Sequence, residues 1–296
     1  MKNSHGSSLS VAVKTFPILW QRILQSGIVG FSVVRERGWL LAWDRAHWLY
    51  VLDGQGRPQS QRQFSGLRSA SGADDGSGYV AVGQDGEIWV LAPDLMPRWE
   101  KKLSGGALAV AVDAFGYHLA VSGVASQLRV YTADGETVSK TTTPRPLHHI
   151  RFVPASVHLI ASSDYGLVAA FDLEGQVQWR DGLVANVGHL CTDGYGEQIL
   201  LATFGEGIQR YSVQNGKQGR WTMPTPVSLV AQSFDGALIV TSGRGNRIMI
   251  LRPNGQPLVS TKVPTSPTAL AVDPMGMSLF VGFHDGRIVC YSLGKQ

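Results

Sequence analysis

ALAVAVDAFGYHLAVSGVASQLRVYTADGETVSKTT, residues 107–142, reads as four short strands joined by three turns. Ala107–Val112 is an apolar run, and the DAFG of Asp113–Gly116 turns the chain. His118–Val121 forms a second strand, and a turn around Ala125 leads to a third, Gln127–Thr132. Asp134–Gly135 then opens a fourth, Thr137–Thr142. Runs of β-branched, aromatic and aliphatic residues bounded by Gly, Asp and Asn carry the strand and hairpin signal. The Asp-Gly pair tolerates the positive φ that tight hairpins demand.

Outward from this unit the same grammar repeats every 40 residues. Stepping from Gly76 reaches Gly116, Ser156, Gly196, Gly236 and Gly276, with DGYG at Asp193–Gly196, SFDG at Ser233–Gly236 and DPMG at Asp273–Gly276. Turns between second and third strands fall near residues 45, 85, 125, 165, 205, 245 and 285. Those between third and fourth fall at Asp53–Gly54, Pro93–Asp94, Asp134–Gly135, Glu174–Gly175, Asn215–Gly216 and Asn254–Gly255. Third strands end on a bulky apolar residue in register: Leu91, Tyr131, Phe171, Tyr211, Leu251 and Tyr291. No segment shows a helical apolar period. A fixed period of this length marks repeated supersecondary units, and four strands per unit mark β-propeller blades.

The expected fold is therefore all-β, a seven-bladed β-propeller of four-stranded antiparallel blades. Its blades cover roughly residues 27–64, 66–103, 107–143, 146–183, 186–223, 226–263 and 267–293. The last unit has three good strands before the chain stops, and its missing fourth appears as Ile18–Leu24, in PILWQRIL. That segment resembles the fourth strands PRWEKKL (Pro97–Leu103) and VQWRDGL (Val177–Leu183). The N-terminal strand 18–24 should thus complete the last blade and close the ring, sparing both ends an unpaired edge. Residues 1–8 are expected as a flexible tail, and residues 9–296 as one propeller domain.

These residues resemble the WD-repeat and quinoprotein-like propeller superfamily over about Ile18 to Leu293. The WD-repeat likeness rests on SFDGALIVTSGRGNRIMIL (Ser233–Leu251) and DPMGMSLFVGFHDGRIVCYS (Asp273–Ser292). The Trp-Asp pair of that family is absent, Phe171–Asp172 standing nearest, so its buried hydrogen-bond network does not carry over. The quinoprotein-like repeat places a Trp in the fourth strand after a Gly turn. Gly175-Gln-Val-Gln-Trp179 fits that pattern, Asn215–Trp221 fits it loosely, and Trp20 and Trp99 hold comparable places. These indoles are expected to pack between blades. The architecture, without a catalytic constellation, is expected to serve as a non-catalytic protein-interaction scaffold acting through its loop face. The resemblance also admits a propeller enzyme of the lactonase or quinoprotein-like type, and a fixed subunit of a larger assembly is a further alternative.

Function in a propeller lies in its loops and channel. The face carrying the second-to-third-strand loops and the blade crossings collects Trp43, Asp44, Arg45, His47, Tyr165, Phe204, Glu206, Arg244, His284 and Asp285. Such a mixture of aromatic, Arg and acidic residues suits protein recognition; the alternative is ordinary loop residues that cap their own turns. The opposite face carries the Asp-containing turns, whose Asp113, Asp193 and Asp273 are expected to accept bonds from their own backbone.

His149 and His189 stand 40 residues apart, at matched places on inner strands of adjacent blades. By strict 40-residue stepping the equivalent places hold Val29, Ser69, Ala109, Leu229 and Ala269. The pair is a channel candidate, expected to hydrogen-bond to water or backbone. A zinc ion would need a third and fourth ligand, and a hydrolase would need carboxylates beside the rings. No metal or cofactor is expected.

The bulk composition fits this picture. The 296 residues are 44% hydrophobic and 16% charged, and 35 are Gly, as many tight turns require. The net charge of +4 is not gathered into a basic run, so nucleic acid is not expected as a partner. Two cysteines, Cys191 and Cys290, do not make a disulfide scaffold and suit a reducing compartment. The opening MKNSHGSSLSVAVKTF lacks the apolar core of a secretory signal, and no stretch is long enough to span a membrane. A cytoplasmic protein with a protein or peptide partner is expected, its oligomeric state open with a monomer favoured. No GxSxG, Walker-type, HExxH or CxxC signature occurs.

Overall fold

The structure, a computed structural model, describes residues 12–294. Seven four-stranded antiparallel sheets follow one another in chain order, and no residue among those described is helical. Blades 1 to 6 span residues 28–63, 67–102, 107–142, 149–181, 186–221 and 227–262. Blade 7 takes three strands from the end of the chain and its fourth from the beginning: Ile18–Ile23 pairs antiparallel with Arg287–Ser292, setting Ile18 opposite Tyr291 and Ile23 opposite Arg287. The expected ring closure is thus present. The expected tail, residues 1–8, lies outside the described residues.

The hydrophobic core is divided among seven seams, one between each pair of neighbouring blades. Second and third strands are apolar on both faces because each face lines a different seam. In Trp39–Asp44, Leu41 and Trp43 pack toward blade 2, whereas Leu40 and Ala42 pack toward blade 7. Outer strands, such as Pro58–Gln63, alternate between exposed and half-buried residues because only one edge of the blade meets water.

The outer strands also fasten each blade to the next. Trp20, Trp99 and Trp179 donate their indole N–H to the backbone carbonyls of Gly54, Ala133 and Val213, at 3.0, 2.6 and 2.6 Å, always 34 residues further on. Each indole covers a glycine of that neighbouring turn, Gly56, Gly135 or Gly216, held at positive φ. Blade 3 has no Trp at this place. There the Thr141 hydroxyl donates to the Gly175 carbonyl at 3.1 Å, again 34 residues on. The expected packing of the Trp residues between blades is met, with a hydrogen bond added for Trp20, Trp99 and Trp179, while Trp221 packs against Gly255 in the seam between blades 5 and 6.

The turns between first and second strands are linked as well. Backbone N–H groups of Glu36, Asp74, Ala155, Gly194 and Phe234 donate to the next blade's turn, at the carbonyls of Asp74, Ala114, Gly194, Phe234 and Pro274. Inside the turns, Asp113 accepts from the backbone of Tyr117 and His118, Asp193 from Gln198, and Asp273 from Ser278. These carboxylates are turn caps, as expected.

The sequence reading did not anticipate what precedes the closing strand. Ala12–Val13 adds a parallel fifth strand to blade 6, opposite Val259 and Ser260. Phe16 then inserts, 3% exposed, into the seam between blades 6 and 7. The segment 12–23 therefore binds three blades: it edges blade 6, completes blade 7 and, through Trp20, holds blade 1.

Candidate functional site

Inner strands of all seven blades surround a central cavity of about 120 Å³. Pairing with the second strands fixes which residues share a level. One level holds Gly30, Ser69, Ala109, His149, His189, Leu229 and Ala269. Gly30 replaces the expected Val29, because blade 1 stands 39 residues before blade 2 rather than 40; the bulge that precedes Gly30 also precedes Ser69, Ala109 and His189. A Cβ at residue 30 would fall inside the indole of Trp43, so glycine is required there.

His149 and His189 do occupy one level, as expected. His189 Nδ1 lies 2.8 Å from the Val230 carbonyl, and the cavity reaches this ring. That bond assigns the proton to Nδ1 and leaves Nε2 as an acceptor. His149 Nε2 is buried without a hydrogen-bond partner. Burial, with repulsion from His189 and Arg151, pushes the His149 pKa down to about 3. Burial, with repulsion from Arg151, pushes that of His189 down to about 4. The histidine–carboxylate pairs among the described residues are His118–Asp113 and His148–Asp164, neither of which involves these two rings. A cation, not a carboxylate, stands beside them. No group of three or more His, Cys, Asp or Glu side chains converges as a metal site among the described residues. Cys191 and Cys290 are free thiols, and burial raises the pKa of each.

Two positions along each inner strand the level reads Ser32, Ser71, Ala111, Arg151, Cys191, Ala231 and Ala271. Six small side chains face one arginine. This residue escaped the sequence reading although the signal was there, since residues 71, 111, 151, 191, 231 and 271 form an unbroken 40-residue series.

On the face bearing the loops between second and third strands, the ten candidate residues divide. Trp43 and Asp44 are buried, at 6% and 1% exposure, which corrects the expectation that they form part of an accessible surface. Trp43 fills the seam between blades 1 and 2. Asp44 accepts from the Trp48 amide and the Tyr50 hydroxyl, each at 3.0 Å. His47 sits at a φ of 64° with Nδ1 3.1 Å from the Leu67 carbonyl, a turn role. Glu206 pairs with Arg220 and Asp285 with Arg287. Arg45, Tyr165, Phe204, Arg244 and His284 are exposed.

The opposite face carries more exposed apolar surface. At the first-to-second-strand turns, Phe115, Tyr117, Tyr195 and Met275 are 61%, 65%, 62% and 80% exposed. Val157 and Met277 add to them from blades 4 and 7. Phe115 and Tyr117 stack with centroids 6.0 Å apart, and Tyr195 meets Phe234 edge-on at 5.4 Å. The crescent runs over blades 3 to 7. On blades 1 and 2 the corresponding turns carry Arg35, Glu36, Arg37, Asp74 and Asp75 instead. Sequence reading passed over this face because its Asp-Gly punctuation was explained by turn chemistry, while the exposed residues lie between those positions, as Phe115, Tyr195 and Met275 do, or just after them, as Tyr117, Val157 and Met277 do.

No protein-family model matches the chain, and no curated protein matches it at a significant level.

Proposed function

We propose that this protein is a non-catalytic interaction platform that holds a protein or peptide partner on the rim formed by its first-to-second-strand turns. The observation that carries the reading is the crescent of Phe115, Tyr117, Val157, Tyr195, Met275 and Met277, exposed around one mouth of the channel. Large apolar side chains gathered on one face of a soluble fold mark an interaction surface. Aromatic side chains and Met are enriched at the centres of such interfaces. The backbone bonds that link successive turns make the rim rigid, so binding costs little loop ordering. The resemblance to WD-repeat and quinoprotein-like propellers points the same way, because repeat propellers present their turns as a continuous surface.

The test uses affinity capture from the native extract with three proteins: the unaltered chain, a rim variant (F115S, Y195S, M275S) and a loop-face variant (Y165S, F204S). A partner retained by the unaltered chain and the loop-face variant, and lost with the rim variant, is the expected result. Loss with the loop-face variant alone would move the site to the other face. Empty captures throughout would end the proposal.

A further inference from the structure

Arg151 is the one long side chain on its level of the channel, and its charge has no partner among the described residues. Its guanidinium makes one hydrogen bond, from Nη1 to the Ile150 carbonyl at 2.9 Å. It takes part in no ion pair among the described residues. The charged side chains lining the cavity are Arg35, Asp74 and Arg151. Arg35 uses both oxygens of Asp74, at 2.9 and 2.7 Å, which cancels that pair and leaves one positive charge in excess. The neighbours of Arg151 add no negative charge: His189 is neutral, and burial raises the Cys191 thiol pKa so that the thiol keeps its proton.

The same level supplies space and donors. A volume of about 120 Å³ is well above the roughly 10–15 Å³ that one water needs. Ser32 and Ser71 line it, and each hydroxyl oxygen already accepts a backbone N–H from the next blade, Gly72 and Val112, both at 3.2 Å. A hydroxyl that accepts in this way keeps its own proton free to donate. Arg151 lines the same cavity. An unpaired cation held away from bulk water strongly favours a counterion, and a guanidinium matches the paired oxygens of an oxyanion.

From the solitary Arg151, the paired Arg35 and the small residues around them, we infer that the propeller channel is a binding site for a small oxyanion, a phosphate or a carboxylate. Arg151 grips the anion, and the Ser32 and Ser71 hydroxyls offer further donors on the other side of the ring. This site is independent of the proposed partner surface, since its ligand enters the channel and need not touch the crescent.

The experiment is calorimetric titration of the full chain with sodium phosphate and, in parallel, sodium acetate, at constant ionic strength in chloride. One equivalent of either anion is expected to bind. Binding should weaken by about tenfold or more in R151M, the loss of a charge-assisted pair. It should be unchanged in K262Q, which removes an exposed cation elsewhere. The phosphate arm distinguishes a tetrahedral ligand from the carboxylate of the acetate arm. Should R151M fail to fold, A111E keeps the arginine but places a carboxylate on the same level in the adjacent blade, and it is expected to abolish anion binding. No binding to the unaltered chain, equal binding in R151M or A111E, or equal weakening in K262Q would each overturn the inference.

Discussion

The indole Nε1 of Trp179 lies 2.6 Å from the backbone carbonyl of Val213, so the outer strand of blade 4 grips the turn of blade 5. The same ring stacks on Tyr211 at 5.5 Å and an interplanar angle of 9°. One side chain thus joins two blades by a polar and an apolar contact together. Substituting Trp179→Phe keeps most of the stacking and removes the donor. A destabilisation of about 1 kcal/mol is expected, a fall of about 2–4 °C in melting temperature read by calorimetry. An unchanged melt would mean that solvent replaces the bond without cost.

Phe16 is buried in the seam between blades 6 and 7, ahead of the closing strand. Phe16→Ala should destabilise by about 3–5 kcal/mol through the cavity left behind. Deleting residues 1–24 removes that anchor together with the fourth strand of blade 7, and should lower the thermal midpoint further than Phe16→Ala does. Equal midpoints for the unaltered chain and the deletion would refute the closure described above.

Gly194 lies on the rim where a Cβ would enter the ring of Phe234. Gly194→Ala should cost about 1–3 kcal/mol by overpacking. Trimming the obstacle in Phe234→Ala should relieve it, giving a coupling above about 0.5 kcal/mol in a double-mutant cycle followed by urea unfolding. Strict additivity would place the cost elsewhere.

His149 and His189 make stability depend on pH. Their folded pKa values, about 3 and about 4, lie below the unfolded 6.5, so the unfolded chain binds protons that the fold refuses. Their contribution is fully present above pH 6.5. It falls as the pH drops below that value, at up to about 1.4 kcal/mol per pH unit for each ring, until the folded value is reached. The double variant H149A, H189A takes the residue found at the equivalent places 109 and 269. It should flatten the fall in unfolding free energy between pH 6.5 and 4.5, measured by denaturant titration, and an undiminished slope would assign the dependence to other groups.

The fold was readable because its determinants are local and repeated. The turn dipeptides, the strand-ending aromatics and the fourth-strand Trp residues each recur at one spacing. Closure by residues 18–23 followed from counting strands. The parallel pairing of Ala12–Val13 left no such trace, since a two-residue strand has no period. The site was less legible for a different reason. Whether Trp43 is a surface residue or a seam residue depends on the opposing glycine, Gly30, which falls one residue off the 40-residue count because blades 1 and 2 stand 39 apart. Arg151 was written plainly in the 40-residue series, but its meaning required knowing that the other members of that series surround a cavity.

The clasp of residues 12–23 also sets a timetable. Synthesis makes this segment well before its pairing strand, Arg287–Ser292. Blades 1 to 5 can form from neighbouring stretches as they emerge, whereas blade 7 joins residues more than 260 positions apart. Contacts of such sequence separation are slow to form because a long loop must close first. Until then, the outer edge of Arg287–Ser292 and the seam that takes Phe16 lie open. The newborn chain is therefore most exposed to mispairing with another copy after Arg287–Ser292 has emerged and before the ring has closed.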